Sequence, residues 1–160
     1  MKIKKILFGI IAMLLITSCG TTMQNKQILK TFHKLEQNRN IYIAKIEDGV
    51  FNGKIYRGSG LSVANYFKMY MQPYAAQISS KENASYYIVK AVISHWEPRR
   101  ADWSGIPTRV KIQVSVFEAS SRKELINDEL SIVGRSVTFV PQSAEGLAEY
   151  LIKNFCEKIF

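Results

Sequence analysis

Cysteine, histidine and tryptophan each occur only twice in 160 residues, and proline four times. Two cysteines exclude a disulfide framework. Two histidines, His33 and His95, leave zinc chemistry short of ligands and serine or cysteine nucleophiles short of a base. Apolar runs are short: Ile6–Ile16 is about eleven residues, against roughly 20 for a bilayer-spanning helix. There is no internal repeat, no low-complexity segment and no phosphate loop ending in Lys-Ser/Thr.

What is present at the start is informative. Lys2, Lys4 and Lys5 precede the apolar run, which closes on "ITSC", an aliphatic residue and two small ones before Cys19. This is the layout of a secretory signal, and its end resembles the lipobox of bacterial lipoproteins. The resemblance implies that residues 1–18 are removed and that Cys19 carries a diacylglycerol and an N-acyl chain such as palmitate. Several acyl chains anchor firmly, because each buried CH2 contributes about 0.8 kcal/mol. Gly20 after the cysteine, where an aspartate would retain the protein in the inner membrane, implies the outer membrane. No other cofactor is expected. Loss of the three signal lysines takes the formal charge from +9 to about +6. That balance suits anionic lipid or glycan, and an envelope location argues against nucleic acid.

Residues 19–40 read as the lipidated terminus and a polar tether, partly helical near 27–36, and 41–160 as one domain. "NIYIAKIEDG" at 40–49 has strand character and ends at Asp48-Gly49. Asn52-Gly53 marks a turn between short extended pieces. Leu61, Ala64, Phe67, Met71, Tyr74, Ala75 and Ile78 recur at helical spacing, with Ser59 or Ser62 as cap and Pro73 as a kink or early end. "ASYYIVKAVISHWE" reads as a central strand with Tyr87, Val89, Ala91 and Ile93 on one face and Tyr86, Ile88, Val92 and Trp96 on the other. Val110, Ile112, Val114 and Val116 alternate inward against Arg109, Lys111, Gln113 and Ser115 outward. The partner strand places Ile126, Leu130 and Ile132 on one side, and Leu147, Leu151, Phe155 and Ile159 stripe a terminal helix. The expected fold is α/β (α+β): a single mixed sheet of about four strands with a mid-chain helix and a C-terminal helix packed on it. Cys156 shares the terminal stripe and is expected to be a buried, inert thiol.

With "YIAKIEDG", "YRGSG", "HWEPRRADWSGIPTRV" and "ELSIVGRS" in view, the chain resembles a group of small proteobacterial lipoproteins of unknown function from about Ile41 to Phe155. It departs from their pattern at "SVTFVPQSAEGL", which lacks the double glycine, aspartate and histidine expected there. Any chemistry those residues perform in the group would be absent here. In architecture the chain is more distantly similar to the amino-terminal domain of the Tol propeller protein. It also resembles curli-secretion lipoproteins and lipoprotein activators of peptidoglycan synthases. These similarities imply work through protein contacts, though fold alone does not fix function.

The segment 95–107, "HWEPRRADWSGIP", holds both tryptophans and is the candidate binding loop: His95, Trp96, Glu97, Arg99, Arg100, Asp102 and Trp103. Its residues suit a protein interface, where Trp and Arg are enriched as anchors, or sugar stacking with charged hydrogen bonds. They equally suit a structured crossover pinned by ion pairs. His95, Glu97 and Asp102 fall short of a metal set, and two carboxylates five apart in sequence do not define a glycosidase pair. Gly58, Ser59 and Gly60 precede a helix and can either hold an anion at its start or form a tight turn for close packing. Tyr66, Tyr70 and Tyr74 line one helix edge, packed on the sheet or displayed as a ridge. No catalytic or metal-binding constellation emerges. The sequence thus points to a periplasm-facing, outer-membrane lipoprotein, a non-catalytic accessory or assembly module for another envelope protein. The alternative is a glycan- or peptidoglycan-binding lipoprotein that uses the 95–107 loop.

Overall fold

The computed structural model describes residues 34–98, 107–134 and 143–160. Cys19, the tether helix near 27–36 up to His33, Arg99, Arg100, Asp102 and Trp103 lie outside these residues, as do Thr138 to Gln142.

Chain order is β1 (Arg39–Ile43), β2 (Val50–Phe51), β3 (Lys54–Ile55), α1 (Ser59–Met71), β4 (Ala75–Ser79), β5 (Tyr87–Trp96), β6 (Arg109–Glu118), β7 (Glu124–Val133) and α2 (Ala144–Ile159). Five strands form one mixed sheet in the order β4-β1-β5-β6-β7, and β2 and β3 form a separate hairpin. β1 runs parallel to both β4 and β5, whereas β5, β6 and β7 are antiparallel neighbours. The α/β architecture with one mid-chain and one C-terminal helix is as expected, with one strand more than the four anticipated.

The extra strand is β4. Tyr74, Ala75 and Ile78 continue the helical spacing in sequence, but the helix stops at Met71 and the chain turns through Gln72 and Pro73. Proline cannot supply the amide an extending helix needs. The next five residues instead add an edge to β1, with Ile41 opposite Ile78 and Tyr42 opposite Ser79. Leu61, counted on the buried helical face, is 65% exposed; Val63, Phe67 and Met71 form the inward stripe.

The long meander follows its binary pattern. Val110, Ile112, Val114 and Val116 pack inward with Ile126, Leu130 and Ile132. α2 lays Leu147, Leu151, Phe155 and Ile159 into the same core, and Phe155 meets Phe67 edge-on at 6.2 Å. Each such fully buried side chain contributes about 1.5–3 kcal/mol. On the opposite face of β5, Val92 is 64% exposed, so this strand is covered on one side along its second half rather than on both.

The tyrosine row packs against α2 rather than the sheet. The Tyr70 hydroxyl donates to Glu149 Oε1 at 2.7 Å, and Tyr74 stacks on Phe160 with centroids 4.9 Å apart. The two ends of the described domain also meet. The Leu35 amide donates to the Ile159 carbonyl at 2.7 Å.

Candidate functional site

The turn that starts α1 is built by residues far apart in the chain. Gly58 has φ +89°, which admits glycine at little cost. Its amide and that of Gly60 both donate to Asp48 Oδ1, at 3.0 and 2.9 Å. Neither Ser59 nor Ser62 supplies the expected cap. The Ser59 hydroxyl instead donates to the Tyr56 carbonyl at 2.7 Å and accepts from the Gly49 amide at 2.8 Å. A side-chain carboxylate therefore occupies the amides that an external anion would use. The GSG segment packs closely on the chain before it: a Cβ on Gly60 would stand 2.3 Å from the Ile46 carbonyl oxygen.

Gly49, beside this clamp, lies directly on Trp96. A Cβ there would be 2.7 Å from the Trp96 Cβ and 2.8 Å from Ile93 Cγ2. Strict alternation would put Trp96 on the face of Ile88 and Val92. The β5–β6 register shifts between Ile93 and His95: Ile93 pairs with Ile112, His95 with Lys111, Trp96 with Val110. Ser94 is the extra residue of a β-bulge, and a bulge re-aims the side chains beyond it. Trp96 consequently turns inward and is 1% exposed, correcting its placement on the face of Ile88 and Val92.

His95 stays half-buried at the surface, edge-on to Phe51 with centroids 5.2 Å apart. It meets Glu97, with Nε2 and Oε2 separated by 3.5 Å. Glu97 is buried, and its amide extends the ladder to the Arg109 carbonyl at 2.9 Å. Among the described residues no three His, Cys, Asp or Glu side chains converge as a metal set. Burial pushes the Cys156 thiol well above the ordinary cysteine range, which makes it a poor nucleophile.

Trp96 also floors an open cleft of about 480 Å³, walled by Lys54, Ile55, Tyr56 and Arg57 on one side and Glu145 on the other. Lys54 Nζ lies over the Tyr56 ring at 5.5 Å. Among the described residues, neither Arg57 nor Glu145 takes part in a salt bridge. Sequence reading singled out neither wall. The signal available was the basic "KIYR" run in front of the Gly-rich turn. Asp128 was also missed: it sits on the inward face of β7 among Ile126 and Leu130 and is buried. Its position in an inward i, i+2 series was the clue.

No protein-family model matches the chain, and no curated protein does. Solved structures share the fold. The PelC dodecamer from Paraburkholderia phytofirmans superposes with a TM-score of 0.64 at 10% identity, covering 82% of this chain and 94% of that one. CT253 from Chlamydia trachomatis gives 0.54 at 7% identity over 76% and 98% of the respective chains. XCC0632 from Xanthomonas campestris, described as a DUF330 protein, gives 0.52 at 10% identity over 79% and 83%. At these identities the likeness is one of fold: this chain is built on the same mixed sheet and helix layer as PelC and a DUF330 protein.

Proposed function

We propose that this protein is a lipid-anchored component of the outer membrane, tethered through Cys19 and facing the periplasm. In this reading it acts without catalysis, as an accessory or assembly module that docks another envelope protein. The "ITSC" ending of the leader carries the anchoring. The docking role rests chiefly on one observation, the exposed aliphatic pair of the β2–β3 hairpin. Val50 and Ile55 are 49% and 59% exposed and lie opposite each other, next to the strand that leads into the 95–107 loop. A protein contact surface is enriched in Arg and sets apolar side chains at its centre inside a polar rim. The fold likeness to PelC, a protein seen as a dodecamer, agrees with a role in assembly.

Protein docking is favoured over glycan binding by the state of the aromatic rings. Sugar stacking needs an open aromatic face. Among the described residues of the loop and cleft, Trp96 is buried and Lys54 lies over one face of the Tyr56 ring.

Two measurements test the reading. Metabolic labelling with palmitate labels the wild-type chain, whereas Cys19→Ser is unlabelled and leaves the membrane fraction. A photoreactive residue at position 103 of the lipidated protein, activated in intact envelopes, gives a discrete protein adduct. Adducts to glycan alone would transfer the role to saccharide binding.

A further inference from the structure

The cleft over Trp96 joins three features that the fold itself does not require. Lys54 and Arg57 are exposed on a turn whose geometry is already fixed by Asp48 and Ser59. Ile55, which follows Lys54 in β3, also lines the cleft and is 59% exposed. Glu145 stands on the facing wall, in the first turn of α2, where the helix dipole already accommodates its charge. The nearby acid Asp48 is committed to the amides of Gly58 and Gly60. Arg57 thus has no ion-pair partner among the described residues.

The cleft lies at the pole of the domain remote from Leu35. Leu35, near the start of the described chain, is bonded to the C-terminal end of α2. The cleft is formed at the N-terminal ends of α1 and α2. A 16-residue helix separates the two poles by roughly 24 Å at 1.5 Å per residue.

We infer that this cleft receives an acidic, aliphatic-bearing segment of the partner protein; the inference rests on the docking role proposed above. One carboxylate of the segment pairs with Arg57 and Lys54, where the planar guanidinium can bind it through two hydrogen bonds. An aliphatic side chain covers Ile55 and Val50. Glu145 repels a second carboxylate from the opposite wall, which fixes the direction in which the segment lies. A saccharide acid would satisfy the cations but leave the aliphatic pair in water, so a protein segment is the better match.

The test places a photoreactive amino acid at position 55 of the full lipidated chain in its native host and a second at position 129 on the open sheet face. Adducts are mapped by mass spectrometry. The expected result is a protein adduct at position 55, mapping to a partner stretch that contains Asp or Glu. Its yield falls at least tenfold in the double variant Lys54→Glu, Arg57→Glu and drops as salt is raised. Both substituted side chains are exposed, so the thermal transition is expected to be unchanged. Protein adducts at 103 or 129 with none at 55 overturn the cleft assignment and leave the docking role standing. An adduct at 55 that survives the double charge reversal, or that maps to glycan or lipid, also overturns it. Absence of protein adducts at all three positions removes the docking role and the cleft together.

Discussion

Asp48 caps a helix that begins eleven residues downstream of it: its Oδ1 accepts from the amides of both Gly58 and Gly60. The carboxylate joins the end of the β1 segment to the start of α1. It takes the place of the missing acidic residue in the first turn of that helix. Replacing it with alanine leaves two amides without their acceptor. Asp48→Ala is expected to lower stability by about 1–2 kcal/mol, with Asp48→Asn intermediate, as read from urea denaturation midpoints.

Gly60 offers a sharper case. A methyl group there collides with the Ile46 carbonyl, which is backbone and cannot swing aside. Gly60→Ala is expected to cost about 1–3 kcal/mol through overpacking, despite alanine's better helix propensity. A neutral or stabilising result in a thermal melt would show that the β1–α1 connection can shift to make room.

The bulge at Ser94 makes a less intuitive prediction. Ser94 and His95 together oppose Lys111. Deleting Ser94 therefore restores a regular ladder in which His95 still faces Lys111 and Trp96 still faces Val110. The deletion is expected to retain a buried tryptophan with blue-shifted emission, measured in a Trp103→Phe background. Trp96→Ala, by contrast, empties a core site and costs about 3–5 kcal/mol. A red-shifted emission maximum in the deletion would contradict this account of the register.

Cys156 is buried and its thiol is pushed upward, chiefly by desolvation. In a Cys19→Ser background it should resist alkylating reagents in the native state and react on unfolding. The same shift has a sign for stability. Below the ordinary thiol range, near 8.5, both states hold the proton and nothing is lost. As pH rises through that range the unfolded chain ionises first, so stability falls, and Cys156→Ala removes that component of the alkaline decline.

Legibility followed local regularity. β6, β7 and α2 were readable because every second or every third-to-fourth residue is apolar, and burial follows that spacing. β4 was hidden because Ala75 and Ile78 fit a helical face as well as a strand, and only pairing with β1 decides between them. The inward turn of Trp96 was hidden because a bulge is a property of two strands in register. Within the candidate site, the two-residue spacing of His95 and Glu97 is the local signal for their contact. The role of Asp48 was not, because nothing in the spacing of "EDG" and "GSG" states which carboxylate reaches which amide. Lys54 and Arg57 carry no local pattern at all; their significance comes from the cleft that tertiary packing forms around them.

The bond between Leu35 and Ile159 has a mechanical consequence. Under the proposed anchoring at Cys19, any pull between membrane and partner reaches the domain through the tether and then through β1. That strand lies between β4 and β5 and is parallel to both. Tension along it must shear its hydrogen bonds on two sides at once instead of peeling them one by one. The Leu35–Ile159 bond meets that load first and shares it with the end of α2. The load thereby runs along the line from the anchor to the far pole, where the cleft beside the hairpin would receive the partner's pull.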